Sequence, residues 1–203
     1  MEKLKGVDGQ GQDAYSKKLQ QALRDIRINL GLVIQAQTLQ MLTFTSLKPK
    51  TGTTFCAYEL AKLFIKTGWT VALIDGNVDT PTLSESISRK QGVSDLLIGF
   101  QPKPIKDENN VVIFPIGTLP ENLSEGLATT EGKLFVQKLR ETYDLIFWDV
   151  ASFEKSADAR YVAGLSDGAI LTINRRTSLQ KLHTVKAKLN NFDIPLIGVI
   201  TNG

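Results

Sequence analysis

Apolar residues along this chain follow a helical period first and then alternate between strand-like and helix-like runs. From Tyr15 to about Val33, the residues Leu19, Leu23, Ile26 and Leu30 recur at helical spacing and predict an amphipathic helix ahead of the first strand. Short β-rich runs follow at 41–46, 70–75, 111–116, 144–149, 168–174 and 195–201. Helical stretches lie between most of them, near 54–67, 83–90, 131–142, 156–164 and 177–190. The runs from Val71 to Ile74, Leu145 to Trp148 and Ala169 to Ile173 are apolar on both faces, as parallel strands covered by helices on each side require. The alternation predicts an α/β fold: a doubly wound, mostly parallel sheet flanked by helices on both faces, with its ligand at the carboxyl ends of the strands. Segment 101–110, with Pro102, Pro104 and a polar Lys-Asp-Glu-Asn-Asn tract, predicts a surface loop, and polar residues 1–13 a flexible arm before a single domain over 14–203. No internal repeat is visible.

Composition narrows the classes without choosing among them. A chain of 203 residues can bury a substantial core. Its 24 basic and 21 acidic residues imply no large nucleic-acid footprint, while a pI of 8.9 permits attraction to anionic surfaces. The single cysteine, Cys56, excludes an internal disulfide and fits a reducing compartment. It falls in the first turn of a predicted helix, where a thiol pKa can drop, although a small buried residue is the plainer reading. No apolar run reaches the roughly 18 residues that span a bilayer, and the start Met-Glu-Lys-Leu-Lys lacks a signal-peptide core. The expectation is a soluble cytoplasmic domain. His183 sits in a polar helical pattern and reads as a surface residue.

Chemistry enters at the ends of three strands. Phe44-Thr-Ser-Leu-Lys48-Pro-Lys50-Thr-Gly52-Thr53-Thr54 has the outline of a phosphate loop between a strand and a helix, where backbone N–H groups cradle phosphates. The pattern G-x-x-x-x-G-K-[ST] would place lysine at 53, where this chain has Thr53. Asp75 leaves the strand Ala72-Leu-Ile, and Asp149 ends Leu145-Ile-Phe-Trp. A carboxylate at such a strand end holds Mg²⁺ beside nucleotide phosphates, or else simply caps the following turn. The three clusters together with the Gly52-Thr53-Thr54 helix start favour the nucleotide-site reading.

From about residue 14 to 203 the chain resembles the cytoplasmic domain of bacterial tyrosine kinases, the polysaccharide-export autokinases related to partitioning and septum-site ATPases. Asp75-Gly-Asn77-Val-Asp79-Thr-Pro81-Thr-Leu83 is similar to that family's D-x-D-x-R and R-P-x-L motifs, and Gln91-Gly-Val-Ser-Asp95-Leu-Leu-Ile-Gly99 to its G-L-S-D-x-L-x-G segment. Gly117-Thr-Leu-Pro120-Glu-Asn122-Leu-Ser-Glu125 resembles G-x-x-P-x-N-P-x-E-L-L, Tyr143-Asp-Leu-Ile-Phe-Trp-Asp149 the Y-D strand, and Gly198-Val-Ile-Thr-Asn202-Gly203 the final G-V-V-x-N strand. On the first helix, Gln21-x-x-Arg24-x-x-Arg27 resembles the E-x-x-R-x-x-R motif through which these kinases form rings.

The resemblance implies a P-loop NTPase fold, ATP or ADP with Mg²⁺ as cofactors, and a membrane-anchored polysaccharide co-polymerase or chain-length regulator as partner at the inner face of the plasma membrane. It implies nucleotide-binding roles for Lys48, Lys50, Gly52, Thr53, Thr54 and Asn202. Mg²⁺ would sit at Thr54, Asp75 and Asp149, with catalytic (here vestigial) roles for the two aspartates and an oligomer interface at Gln21, Arg24 and Arg27. The departures fall on the chemistry. Gly-x-Gly-Lys reads Lys50-Thr51-Gly52-Thr53, the second acid of D-x-D is Asn77, the following Arg is Asp79, the Thr-Pro-Pro after Asp149 is Val150-Ala-Ser152, and the ring motif's Glu is Gln21. Three functions stay open: a regulatory or scaffolding domain with weak or lost ATP chemistry, a tyrosine autokinase or ATPase using Lys48 or Lys50, and a partitioning-type positioning ATPase. Both lysines are equally readable as solvated loop residues.

Overall fold

Consecutive apolar residues at the centre of the chain can be hidden only if both faces of their strands are covered, and the tertiary structure does this. The computed structural model describes residues 9–87, 91–118 and 123–202, with side chains from Tyr15 onward. The strands are β1 (Met41–Ser46), β2 (Val71–Gly76), β3 (Ile105–Lys106), β4 (Val112–Phe114), β5 (Leu145–Val150), β6 (Gly168–Asn174) and β7 (Leu196–Asn202). Among the described residues they form one sheet in the order β3-β4-β2-β5-β1-β6-β7, parallel throughout except for the β3–β4 pair. The helices are α1 (Gly9–Gln37), α2 (Thr53–Ile65), α3 (Thr82–Glu85), α4 (Leu123–Ala128), α5 (Thr130–Thr142), α6 (Ala157–Leu165) and α7 (Leu179–Asn191), with a 3-10 helix over Val93–Ile98.

Alternate residues of one strand feed opposite layers. Leu42, Phe44, Leu73, Leu145 and Phe147 pack under α1 and α2 with Leu30, Ile34, Leu60 and Phe64. Met41, Ala72, Ile74, Ile146 and Trp148 face the other way, against Val93, Leu96, Leu123, Phe135 and Val162. Leu171 and Ile173 join Val185 and Leu189 of α7 in a third cluster. The first layer is knit by aromatic rings: Phe147 lies 4.9 Å from Phe44 and 5.9 Å from Phe64, and Phe64 lies 5.8 Å from Trp69. At the amino edge of the sheet, Asp167 accepts from the Gln40 and Met41 amides, 2.7 Å each, and pairs with Arg140 at 2.8 Å, clamping the start of β1 to α5.

The differences from the sequence reading are local. The predicted loop 101–110 contains β3, whose two residues pair antiparallel with β4. A two-residue strand is too short for an apolar alternation to register. α4 and the 3-10 helix were not predicted for the same reason. The helix expected near 83–90 is a single turn, α3, and residues 88–90 lie outside the described residues. α1 begins at Gly9, ahead of the arm boundary at residue 13, because propagation adds a hydrogen bond per residue once a helix has nucleated. Residues 1–8 of that arm, 119–122 of the Gly117 segment and Gly203 are also outside the described residues. No helix among the described residues is long and apolar enough to cross a membrane.

Phe147 is fully buried in the ring cluster. We expect Phe147→Ala to lower unfolding free energy by about 3–5 kcal/mol in urea titrations, with an unchanged m-value.

Candidate functional site

The sheet order places the three chemistry-bearing strand ends side by side. β2, β5 and β1 are neighbours, and Asp75 and Asp149 are register partners. Both carboxylates are fully buried, because the strands are still covered on both faces where they end. Above them lies a cavity of about 630 Å³, lined by the loop residues Pro49–Thr54, by Phe55 and Tyr58 of α2, by Asn77, Asp79 and Thr82, and by Ser152 beyond β5, among others. That volume suits a nucleotide-sized ligand.

The loop keeps the backbone shape of a phosphate cradle. Lys50 and Gly52 both adopt left-handed conformations, φ 60 and φ 79. For Lys50, which stands where the resembling family has glycine, this costs about 1–2 kcal/mol. At Gly52 a side chain is excluded twice over, by φ and by the Asn202 amide, against which an added Cβ would collide. Asn202, at the end of β7, donates from Nδ2 to the Thr51 carbonyl at 2.9 Å and so braces the loop from behind, outside the cavity lining. Thr53 is buried, and its hydroxyl bonds Thr51 Oγ1 at 3.2 Å. Lys48 is exposed and outside the lining, while its carbonyl accepts from Ser46 Oγ at 2.8 Å. Lys50 lines the cavity.

The two aspartates have separate fates. Asp75 is saturated: Oδ1 accepts from the Asn77 amide at 3.1 Å, and Oδ2 from the amide and hydroxyl of Ser84 at 2.8 and 2.6 Å. Burial raises its pKa, and these bonds oppose the rise. The Ser84 hydroxyl also accepts from the Ile116 amide at 2.8 Å, so Asp75 ties β2 to α3 and to the chain leaving β4. Asp149 takes a single hydrogen bond, from Thr54 Oγ1 to Oδ2 at 2.6 Å. Its Oδ1 is buried without a partner, as is the nearby Ser152 Oγ. Burial pushes the Asp149 carboxyl up to about 8; the Thr54 bond opposes this and the Asp75 charge adds to it.

These contacts test the fit of a divalent cation. Thr54 and the free Oδ1 of Asp149 are suitable oxygen donors, whereas both Asp75 oxygens are already engaged. Among the described residues no group of three or more His, Cys, Asp and Glu side chains gathers as a metal site. A Mg²⁺ ion would therefore be held by Thr54 and Asp149, with phosphate oxygens and water completing its shell.

The remaining expected positions are dispersed. Gln21 and Arg24 are exposed on α1, Arg27 is half-buried, and Gln21 Nε2 donates to Asp25 at 2.8 Å. His183 is exposed. Cys56 is buried, and burial, with the Asp149 charge, pushes its thiol up to about 11, which removes the reactive reading. Asp79 is an exposed part of the cavity wall, and Asn77 Oδ1 accepts from the Thr80 amide at 3.1 Å. Sequence reasoning missed Tyr58, Ser84 and Ser152. Tyr58 lies one helical turn beyond Thr54 and was legible from that spacing, whereas nothing in the sequence ties Ser84 to Asp75.

The fold and the braced loop define a P-loop NTPase architecture, and comparison with known proteins sharpens this. No protein-family model matches the chain. In sequence it is similar to bacterial tyrosine-protein kinases: it is 25% identical over 187 residues to the tyrosine-protein kinase YwqD of Bacillus subtilis, covering 89% of this chain and 79% of that protein. It is also 22% identical over 200 residues to the succinoglycan biosynthesis transport protein ExoP of Rhizobium meliloti, covering 94% of this chain but only 25% of that much longer protein. In structure it matches the kinase domain of the Escherichia coli tyrosine kinase ETK, with TM-score 0.82, 20% identity and coverage of 90% of this chain and 74% of that one. The septum site-determining protein MinD of Pyrococcus horikoshii, solved with Mg-ADP, shares the fold at TM-score 0.66 and 20% identity, over 80% of this chain and 69% of that one.

The Asp149 carboxyl gives a pH signature. Its folded pKa of about 8 lies above the ordinary 3.8, so the native state holds this proton more tightly than the unfolded chain. The stability it contributes is complete below about pH 4 and is lost as pH rises toward about 8. We expect Asp149→Asn to melt at a temperature that rises relative to the parent between pH 5 and 8, as read by circular dichroism.

Proposed function

We propose that this domain is a regulatory or scaffolding component of bacterial polysaccharide synthesis or export in which the phosphoryl-transfer chemistry of its kinase relatives is lost. The observation that carries the reading is Thr53: where a phosphate loop projects lysine at the ligand, this chain has a short, uncharged hydroxyl bonded to Thr51 Oγ1. Phosphoryl transfer is catalysed mainly by positioned positive charge and an oriented base. Lys50 is the single basic side chain among the described lining residues, and Asp79 opposes it in the same wall. A Mg²⁺-bound triphosphate keeps about two negative charges, which backbone dipoles hold only weakly. Asn77 supplies no base, Asp75 is spent on Ser84, and Asp149 carries its own proton near neutral pH.

If nucleotide enters, the loop amides, Lys50 and Thr54 would meet its phosphates, and Thr54 with Asp149 would hold Mg²⁺, as the shared fold of the Mg-ADP-bound septum-site protein suggests. A membrane-anchored chain-length regulator as partner, at the inner face of the plasma membrane, fits the similarity to ExoP. Ring assembly through Gln21, Arg24 and Arg27 is supported by the exposed Ile28 and Leu32, which continue that face of α1. The rival reading, a slow kinase or ATPase, rests on Lys50 lining the cavity. The positioning-ATPase reading rests on fold alone.

Calorimetric titration with Mg-ATP and Mg-ADP, paired with phosphopeptide mass spectrometry after ATP incubation, separates these readings. We expect weak or no heat of binding and no phosphate on any of the four tyrosines. ATP-dependent tyrosine phosphorylation or sustained turnover would overturn the proposal.

A second expectation concerns the lysines. Lys48→Ala with Lys50→Ala should abolish any residual nucleotide binding while leaving apo stability within about 0.5 kcal/mol per change. Unaltered affinity would make both lysines solvated bystanders.

A further inference from the structure

Between Gly168 and Phe192 the chain carries Arg175, Arg176, Lys181, Lys186 and Lys188 and no aspartate or glutamate. The formal charge of the whole molecule is only +3, so this segment, with five basic residues and no acidic one, is a local excess of positive charge. Two of these cations are neutralised: Lys188 and Lys181 lie 2.6 and 3.8 Å from Glu154. Arg175, Arg176 and Lys186 are exposed and have no carboxylate partner among the described residues. The arginines sit on a defined turn, because Asn174 Oδ1 accepts from the Arg176 amide at 3.1 Å and from Thr177 Oγ1 at 3.2 Å.

The helix itself divides by face. Val185 and Leu189 are buried against the sheet. Leu179, His183 and Lys186, spaced i, i+4 and i+7, lie on an outer stripe, and Leu179 is 75% exposed. A large apolar side chain thus stands in solvent among cations.

We propose that the 175–186 face docks this domain directly on an anionic phospholipid surface. Leu179 enters the acyl boundary while Arg175, Arg176 and Lys186 meet the headgroup phosphates. The pairing of cations with an apolar tip on a helix is the chemistry of interfacial binding. A peptide partner would need a groove or a free strand edge, and the 175–186 face itself supplies neither, the outer sheet edge beside it belonging to β7. The 630 Å³ cavity and a 510 Å³ cavity at the amino edge take no lining residue from this segment. β6 is paired on both sides, by β1 and β7. The arginines follow the carboxyl end of β6, so docking turns the loop-bearing edge of the sheet toward the bilayer. The inference is independent of the regulatory reading, since an active kinase would dock in the same way.

Cosedimentation of the full chain tests this, using phosphatidylcholine vesicles with and without phosphatidylglycerol. We expect binding only to the anionic vesicles, weakened about fivefold for each cation removed. The triple change Arg175→Gln, Arg176→Gln, Lys186→Gln should therefore lose more than tenfold, and Leu179→Ser should weaken binding at unchanged charge. Changing Lys181 and Lys188 to Gln together should cost much less than the triple change. Unchanged melting temperatures confirm that the variants fold. Equal binding to both vesicle types, no binding to either, or retained affinity in the triple or the Leu179 variant overturns the proposal. So does displacement by inorganic phosphate beyond that caused by chloride of equal ionic strength, which would mark a small-anion site instead.

Discussion

Burial on both faces of β2, β5 and β1 is the constraint from which the rest of this molecule follows. It forces consecutive apolar residues, sends Leu73 and Phe147 into one layer and Ile74 and Trp148 into the other, and persists to the last residue of each strand. Asp75 and Asp149 occupy the next-to-last positions of β2 and β5. Two neighbouring carboxylates fully removed from water cannot both ionise without compensation. One is compensated by three hydrogen bonds and the other by retaining its proton. The electrostatics of the site are a consequence of how the sheet is covered.

The same economy explains how a phosphate-loop shape survives without the phosphate-loop charge. The shape is held by backbone and neutral contacts: left-handed turns at Lys50 and Gly52, the Asn202 amide on Thr51, and the Thr51–Thr53 and Thr54–Asp149 hydrogen bonds. None of these requires a lysine at position 53. Arg175, Arg176 and Lys186, exposed and without a carboxylate partner among the described residues, lie on α7 and its preceding turn, outside the cavity lining.

What the sequence determined by itself is the fold class and the convergence of its polar strand ends. Uninterrupted apolar runs such as Leu145 to Trp148 signal two-sided burial, and regular βα alternation leaves few topologies. Short-range patterns of this kind are local, so they are written in consecutive residues. The sequence also marked where the chain departs from the motifs of the family it resembles, at Thr53, Asn77 and Asp79. It did not show that Ser84 captures Asp75, that Asn202 braces the loop from behind, or that Lys50 rather than Lys48 lines the cavity. It missed β3, α4 and the 3-10 helix, which are too short to establish a period. Those outcomes are decided by contacts between residues distant along the chain, Thr54 with Asp149 and Thr51 with Asn202 among them. A side chain's hydrogen-bond partner depends on which strand lies beside it, and strand order, unlike strand identity, exists only once the sheet has assembled.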